Sequence, residues 1–495
     1  MSILVTDVVH APDIVLSDAT ALSSAIHRRD VSCVEVMAAY LSHIDRLNPQ
    51  VNAIVARLPS EQLLELAAER DRQLAAGQSM GVLHGFPQAP KDIMPVAGLP
   101  TTRGSQIFRN NVTATDAVVY ERIRACGAIF VGRTNTPEFG LGGHTYNDVY
   151  GTTGNAHDPS RSAGGSSGGA GCAVALHMLP VADGSDTMGS LRTPAAFNHV
   201  YGLRTTFGCV PNGPGDELFM QQFGVAGPMA RNVDDLALLL SVQAGYDARL
   251  PLTRRSDTPE IYRASLERDF QGTRVAWLGN LGGHLAMEDG VLDTCQAAMR
   301  HFEAMGCSVE PALPRFDFEE LWRAWIDLRS FSIAGSLGNL LETPSSRTLL
   351  KPEAVWEIER GLALPAMRVY QASKVRSAWY RALLDLFKRY DFLVMPAAQV
   401  FPFSADKHWP NQVGGRTMDT YHRWMEAVIG ATMAGVPALS VPAGFGPSGL
   451  PAGLQILAPP QHDFEVLQVG KAYDEASGLS RVRSALLTHS PSPNV

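Results

Sequence analysis

The chain has 495 residues, 45% of them hydrophobic and 18% charged, the composition of an ordinary folded protein. Its 41 basic and 49 acidic side chains give a formal charge of −8 with no tract of like charge, so neither a nucleic acid nor an anionic membrane surface is an expected partner. Cys33, Cys126, Cys172, Cys209, Cys295 and Cys307 form no Cys-x-x-Cys pair and are far too sparse for a disulfide scaffold. Reduced thiols in a cytoplasmic enzyme are expected. Met1–His10 lacks the basic and apolar regions of a secretory signal, and no uncharged apolar run approaches the ~18–20 residues of a membrane helix.

Ser32-Cys33-Val34-Glu35 fits a capping box, and Val34, Met37, Leu41 and Ile44 follow at helical spacing. Asn48-Pro49 is expected to stop that helix, Val51 to Val55 to form a short strand, and Pro59-Ser60 to open a second helix running to about Ala76. Residues from there to about 240 are dense in glycine, as loops on a scaffold are. Within them Gly169 to Met178 reads as a buried helix, and Pro180 to Ala182 as a strand leading into a loop from Asp183 to Ser190. Thr193-Pro194 reads as an N-cap followed by a first-turn proline. Ser190 would then lie just before a helix, where unpaired N–H groups and the dipole favour negative charge.

Residues 253–390 are more helical. Val369, Val375, Trp379, Leu383 and Phe387 mark one helix, and this region is expected to be an insert or cap that helps form a substrate pocket. Phe392 to Met395, Ala438 to Val441 and Gly453 to Leu457 read as buried strands, and the Ser/Pro tail from Ser490 to Val495 as frayed. Alternating strands and helices point to an α/β fold, taken as one domain over residues 1–495.

Three segments can carry chemistry. Gly164-Gly165-Ser166-Ser167-Gly168-Gly169 is unfavourable for helix or strand and suits close backbone approach to a ligand. Asp186-Thr187-Met188-Gly189-Ser190-Leu191-Arg192 puts a serine on a tight turn, with N–H groups from Thr187 to Ser190 available to an oxyanion. The third is Pro87-Gln88-Ala89-Pro90-Lys91-Asp92.

Together these resemble the amidase-signature family, whose Gly-Gly-Ser-Ser-Gly-Gly run is followed by a nucleophilic serine in Asp-x-Gly-Gly-Ser-x-Arg. The likeness extends to His84-Gly85-Phe86-Pro87, Val96 to Thr102, Gly202-Leu203-Arg204, Gly227 to Arg231, Gly435 to Ala438 and Gly453-Leu454-Gln455. It implies an α/β/α sandwich with a large central mixed β-sheet covered by helices on both faces. It also implies that Ser190 is the nucleophile, that Ser166, after a cis peptide bond, is the bridging serine, and that Lys91 is the base. Thr187, Met188, Gly189 and Ser190 would form the oxyanion hole, with Asp186, Arg192 and Ser167 in support. Met188 replaces the family's glycine and Arg103 a small residue. A positive φ at Met188 would be strained.

Phe139, Gly140, Tyr146, Phe219, Phe223 and Trp325 are the candidate pocket residues, favouring an aryl or alkyl amide. The expected partner is a small-molecule amide, and a homodimer is left open. No cofactor or metal is implied. Gly164-x-Ser166-x-Gly168 also fits a nucleophile elbow, with His422 or His462 as base, and Cys172 or Cys209 could serve a cysteine amidase. The glutaminase subunit of a tRNA-dependent amidotransferase shares the three motifs, and a non-catalytic binder could keep the scaffold.

Overall fold

Local chemistry starts the first helices as the residues dictate. In the computed structural model, which describes residues 11–488 apart from 221, 256 and 257, helix α1 spans Cys33–Val51. Ser32 Oγ accepts from the Glu35 N–H (3.1 Å), while the Ser32 N–H donates to Glu35 Oε2 (2.8 Å). Pro49 does not stop α1: the helix continues past it and ends at Asn52, which is left-handed (φ 51°). Asn48 holds this exit, its Oδ1 accepting from the N–H groups of Ala53 and Ile54. The strand expected over 51–55 is therefore reduced to Ile54–Val55, paired with Arg133–Thr134. Helix α2 is Ser60–Ala75. Met1–His10 and Ser490 to Val495 lie outside the described residues.

The glycine-dense region supplies helix α3, Gly168–Ala175, strand β1, Ala182–Asp186, and helix α4, Arg192–Asn198. Strand β1 thus occupies half of the expected Asp183–Ser190 loop. Strands β2, Tyr201–Arg204, and β3, Val225–Ala230, follow, and then helix α5, Val233–Gln243. Strands β4, Arg274–Trp277, and β5, Ser308–Pro311, precede helices α6, Phe318–Leu337, α7, Pro352–Leu362, and α8, Ala366–Phe387. Strands β6, Phe392–Pro396, β7, Ala438–Phe445, and β8, Pro451–Leu457, lead to helix α9, Asp463–Ser477.

The eight strands form one mixed sheet in the order β1-β3-β2-β7-β8-β6-β4-β5. Its pairings are antiparallel from β1 to β6 and parallel from β6 through β4 to β5. Side-chain alternation divides the core. Val275, Phe392, Val394, Leu439, Val441, Leu454 and Ile456 belong to one apolar cluster, whereas Ala276, Leu393, Met395, Ala438 and Leu457 belong to another. Both faces are thus buried, giving the α/β/α sandwich. Helix α9 packs so closely on the first face that a Cβ at Gly470 would fall 2.2 Å from Leu439 Cδ2. On the second, α4 crosses the sheet over Gly202 and Gly453, where a Cβ would come within 2.6 Å of Leu191 O and Ala196 Cβ respectively. That approach sets α4, and the turn before it, directly on the sheet. Among the described residues no helix is long and apolar enough to cross a membrane.

Candidate active site

Lys91 is completely buried, and its backbone is fixed from three sides. Its N–H donates to Asp183 Oδ2 (3.3 Å), which also accepts from Tyr120 Oη (2.8 Å), and its carbonyl accepts from Arg133 Nη2 (2.8 Å). Asp92, next in sequence, accepts from the Thr102 N–H (2.9 Å) and the Thr102 hydroxyl. The Lys91 ammonium is left facing hydroxyls alone: Nζ lies 2.8 Å from Ser166 Oγ, 2.9 Å from Ser167 Oγ and 3.0 Å from Ser185 Oγ. Burial lowers the pKa of Lys91 to about 7, against the opposing pull of Asp183 and Asp186. A hydroxyl both donates and accepts, so this cage serves neutral and charged lysine alike.

Ser166 follows a cis Gly165–Ser166 peptide bond. Glycines are needed around it: a Cβ at Gly165 would fall 2.9 Å from the backbone of Gly143 and His144, and one at Gly169 2.4 Å from the Asn135 nitrogen. The Ser167 N–H donates to the Ser190 carbonyl (3.2 Å), tying the two serine segments together. Among the described residues no hydrogen bond joins the hydroxyls of Ser166 and Ser190, although both line one chamber.

The turn before α4 is organised by Asp186. Its carboxylate accepts from the N–H groups of Gly189 (2.9 Å) and Leu191 (3.2 Å) and from Arg192 Nε and Nη2 (both 3.0 Å), with Arg204 Nη1 at 3.3 Å. Against the upward push of burial, the Arg192 and Arg204 guanidiniums hold this carboxyl well below the usual carboxylate range. The helix therefore starts at Arg192 without the expected Thr193 cap. A carboxylate from the preceding strand satisfies the turn, and the Thr193 N–H donates to Gly189 O (2.7 Å). One member of the expected oxyanion set is withdrawn, because the Gly189 N–H is already bonded. Among the described residues the N–H groups of Thr187, Met188 and Ser190 have no protein acceptor. The left-handed residue of the turn is Gly189 (φ 76°), so Met188 carries no backbone strain.

Ser190, Ser166, Ser185, Thr187 and Met188 line a chamber of about 220 Å³ together with Ile93, Phe139, Gly140, Arg329 and Met425. Ile93, Phe139, Thr187, Asn212 and Gly224 are shared with an outer cavity of about 530 Å³, whose walls also include Arg103, Leu218, Met220, Phe223, Phe331 and Ile333. Of the candidate pocket residues, Phe139, Gly140 and Phe223 are thus brought to the cavities. Phe219 is 64% exposed, Tyr146 stacks on His408 (4.5 Å between ring centres), and Trp325 is buried behind Phe223. Arg103 takes a left-handed backbone (φ 53°) and lays its guanidinium over Phe108.

Among the described residues Ser166 has no histidine partner: His422 is buried beside Glu357, and His462 is exposed. Cys172 and Cys209 are buried outside both cavities. Sequence reasoning missed Ser185, Asp183 and Arg329. The first two lie two residues apart on β1 and both reach Lys91, so a period-2 reading of 182–186 as a strand contained the signal. For Arg329, in a helix of the middle third, the sequence offered none.

The model of the Amidase family matches residues 35–467. An acylamidase of Rhodococcus erythropolis is 35% identical over 462 residues, covering 92% of this chain and 94% of that protein. A glutamyl-tRNA(Gln) amidotransferase subunit of Thermosynechococcus vestitus is 32% identical, covering 91% of this chain and 96% of that protein. Among solved structures, a bacterial aryl acylamidase of the amidase-signature family superposes with a TM-score of 0.88 at 25% identity, covering 96% of this chain and 99% of that one. The buried lysine, the paired serine segments and these likenesses over nearly the whole length agree, and the chain belongs to the Amidase family, the amide-hydrolysing enzymes that carry the amidase signature.

Proposed function

We propose that the chain hydrolyses a carboxamide to a carboxylate and an amine through an acyl-enzyme on Ser190, with Ser166 as proton relay and Lys91 as base. One observation carries this reading. A lysine with its pKa lowered to about 7 sits within 2.8 Å of Ser166 Oγ, so near neutral pH a large fraction of it is an uncharged base. Lys91 Nζ takes the Ser166 proton as Ser166 Oγ takes that of Ser190. This step requires the Ser190 hydroxyl to meet Ser166 Oγ, and both residues line the same chamber. The Ser190 oxygen attacks the carbonyl carbon, and the unbonded N–H groups of the 187–190 turn receive the oxyanion. As the C–N bond breaks, the relay returns the proton to the leaving nitrogen. Water, deprotonated along the same path, then releases the carboxylate.

The apolar side chains of Ile93, Phe139, Met188 and Phe223 around the two cavities support an aryl or alkyl amide as substrate. Residues 253–390 are read as the segment that helps close this pocket, supported by Arg329, Phe331 and Ile333 of α6 in the linings. Among the described residues none of the six cysteines forms a disulfide, which supports a reducing compartment such as the cytoplasm. The test is a panel of carboxamides and matched esters assayed with wild type and Ser190→Ala. Turnover by wild type and its loss in the variant are expected, and equal turnover by both ends the proposal.

A second reading, a glutaminase component passing ammonia to a partner, is favoured by the 32% identity to the tRNA-dependent amidotransferase protein. Hydrolysis of free aryl or alkyl amides by the purified single chain, with no response to glutamine, decides against it.

A further inference from the structure

The chamber that holds Ser190 contains one charged side chain that the proton relay does not use, Arg329 of α6. It is 5% exposed, and its guanidinium is locked from behind. Nε donates to Glu357 Oε1 (2.6 Å) and Nη2 to Tyr421 Oη (2.9 Å); Tyr421 in turn donates to Glu357 Oε1 (2.9 Å), and Ser330 Oγ to Glu357 Oε2 (3.0 Å). Glu357 is completely buried, and Tyr421 is stacked on His422 at 4.5 Å. Among the described residues Nη1 has no acceptor, yet it is not one of the polar atoms sealed inside the protein.

A buried ion pair is a weak stabiliser compared with apolar packing, and an unbonded donor in a closed space is costly. Both costs make sense if the pair exists to aim one end of a rigid fork at something that enters the chamber. The carboxylate of Glu357 offsets the charge of Arg329, so what the chamber meets is a strong, oriented N–H donor with little net charge behind it. A neutral oxygen is satisfied by such a donor. A carboxylate would bring a charge that the Arg329–Glu357 pair, already neutral together, does not compensate.

We infer that Arg329 is a specificity residue: through Nη1 it donates to a neutral oxygen acceptor in the acyl part of the substrate, beyond the scissile carbonyl. The inference rests on the acyl-enzyme reading and names its substrate class, amides whose acyl chain carries a second carbonyl or ether oxygen.

Levulinoyl, isocaproyl and succinyl p-nitroanilides share one acyl skeleton and end in a ketone, a branched alkyl group and a carboxylate respectively. Wild type is expected to prefer the levulinoyl over the isocaproyl compound in kcat/KM. The double variant Arg329→Gln/Glu357→Gln, which leaves no lone buried charge, is expected to lose that preference by about 10- to 100-fold. The intrinsic reactivities of the two anilides cancel in this comparison of ratios. The ratio of dissociation constants for the same two compounds, measured on a Ser190→Ala background with and without the double change, reads the contact without turnover, and thermal unfolding reports the fold. An unchanged ratio in both measurements overturns the inference. So does a preference for the succinyl compound that disappears in the double variant, since Arg329 would then read charge. Ser190→Ala cleaving all three anilides as fast as wild type overturns the acyl-enzyme reading instead, which separates the two failures.

Discussion

Ser185→Asp places a carboxylate beside the Lys91 amine, and its effect follows from the geometry. Ser185 Oγ lies 3.0 Å from Nζ, and the side chain borders the chamber, which leaves room for the longer residue. Burial is the cause of the lowered lysine pKa, and a new negative charge opposes it by favouring the protonated form. Two unit charges about 4 Å apart at an effective dielectric of about 20 attract by about 4 kcal/mol, which at 1.36 kcal/mol per unit moves the pKa up by about 3. The sign is fixed: protonated Lys91 cannot accept the Ser166 proton, so kcat/KM of wild type falls as pH drops through about 7, and in the variant that acid limb moves up toward the range of an ordinary lysine. At neutral pH the variant should be slower by two to three orders of magnitude, regaining rate as pH rises. The assay is the pH profile of kcat/KM for an uncharged anilide, with Ser185→Asn as the control of similar shape and no charge. A Ser185→Asp profile that coincides with that of Ser185→Asn, or a wild-type profile with no acid limb near neutrality, would refute the assignment of Lys91 as the base.

Ser190→Ala should reduce turnover by roughly three orders of magnitude or more and prevent labelling by a serine-directed phosphonate. Mass spectrometry locating the label on another serine contradicts the nucleophile assignment. Arg192→Met removes the two closest guanidinium contacts of Asp186, which is completely buried. Urea unfolding should register a loss of about 3–5 kcal/mol, and an unshifted midpoint would count against Asp186 as the organiser of the turn. Gly189→Ala forces a side chain into a left-handed residue, with its Cβ 2.7 Å from Val428 Cγ2. The strain is about 1–3 kcal/mol. Because the displaced turn carries the N–H groups of Met188 and Ser190, kcat should fall far more than KM rises; an unchanged kcat argues against their oxyanion role.

The chain's own order determined much. Ser32 and Glu35 close a capping box, and the strands at Phe392, Ala438 and Gly453 form, because these depend on neighbours a few residues apart and on an alternation that burial preserves. The segments holding Lys91, Ser166 and Ser190 were legible because their glycines and prolines have no purpose in a regular element. What needed three dimensions was everything set by distant residues. Pro49 failed to end α1 because Asn48 caps the exit with its side chain, and Thr193 failed to cap α4 because Asp186, from the adjoining strand, satisfies that turn and takes the Gly189 N–H out of the donor set. Phe219 and Tyr146, aromatic in composition alone, were left outside the cavities, whereas Arg329 was carried into the chamber by a helix more than a hundred residues away. Above all, a lysine is basic in any sequence. Only the packing of Ser166, Ser167 and Ser185 around Nζ, with water excluded, makes this one able to give up its charge at neutral pH, because desolvation belongs to the assembled fold and not to any stretch of chain.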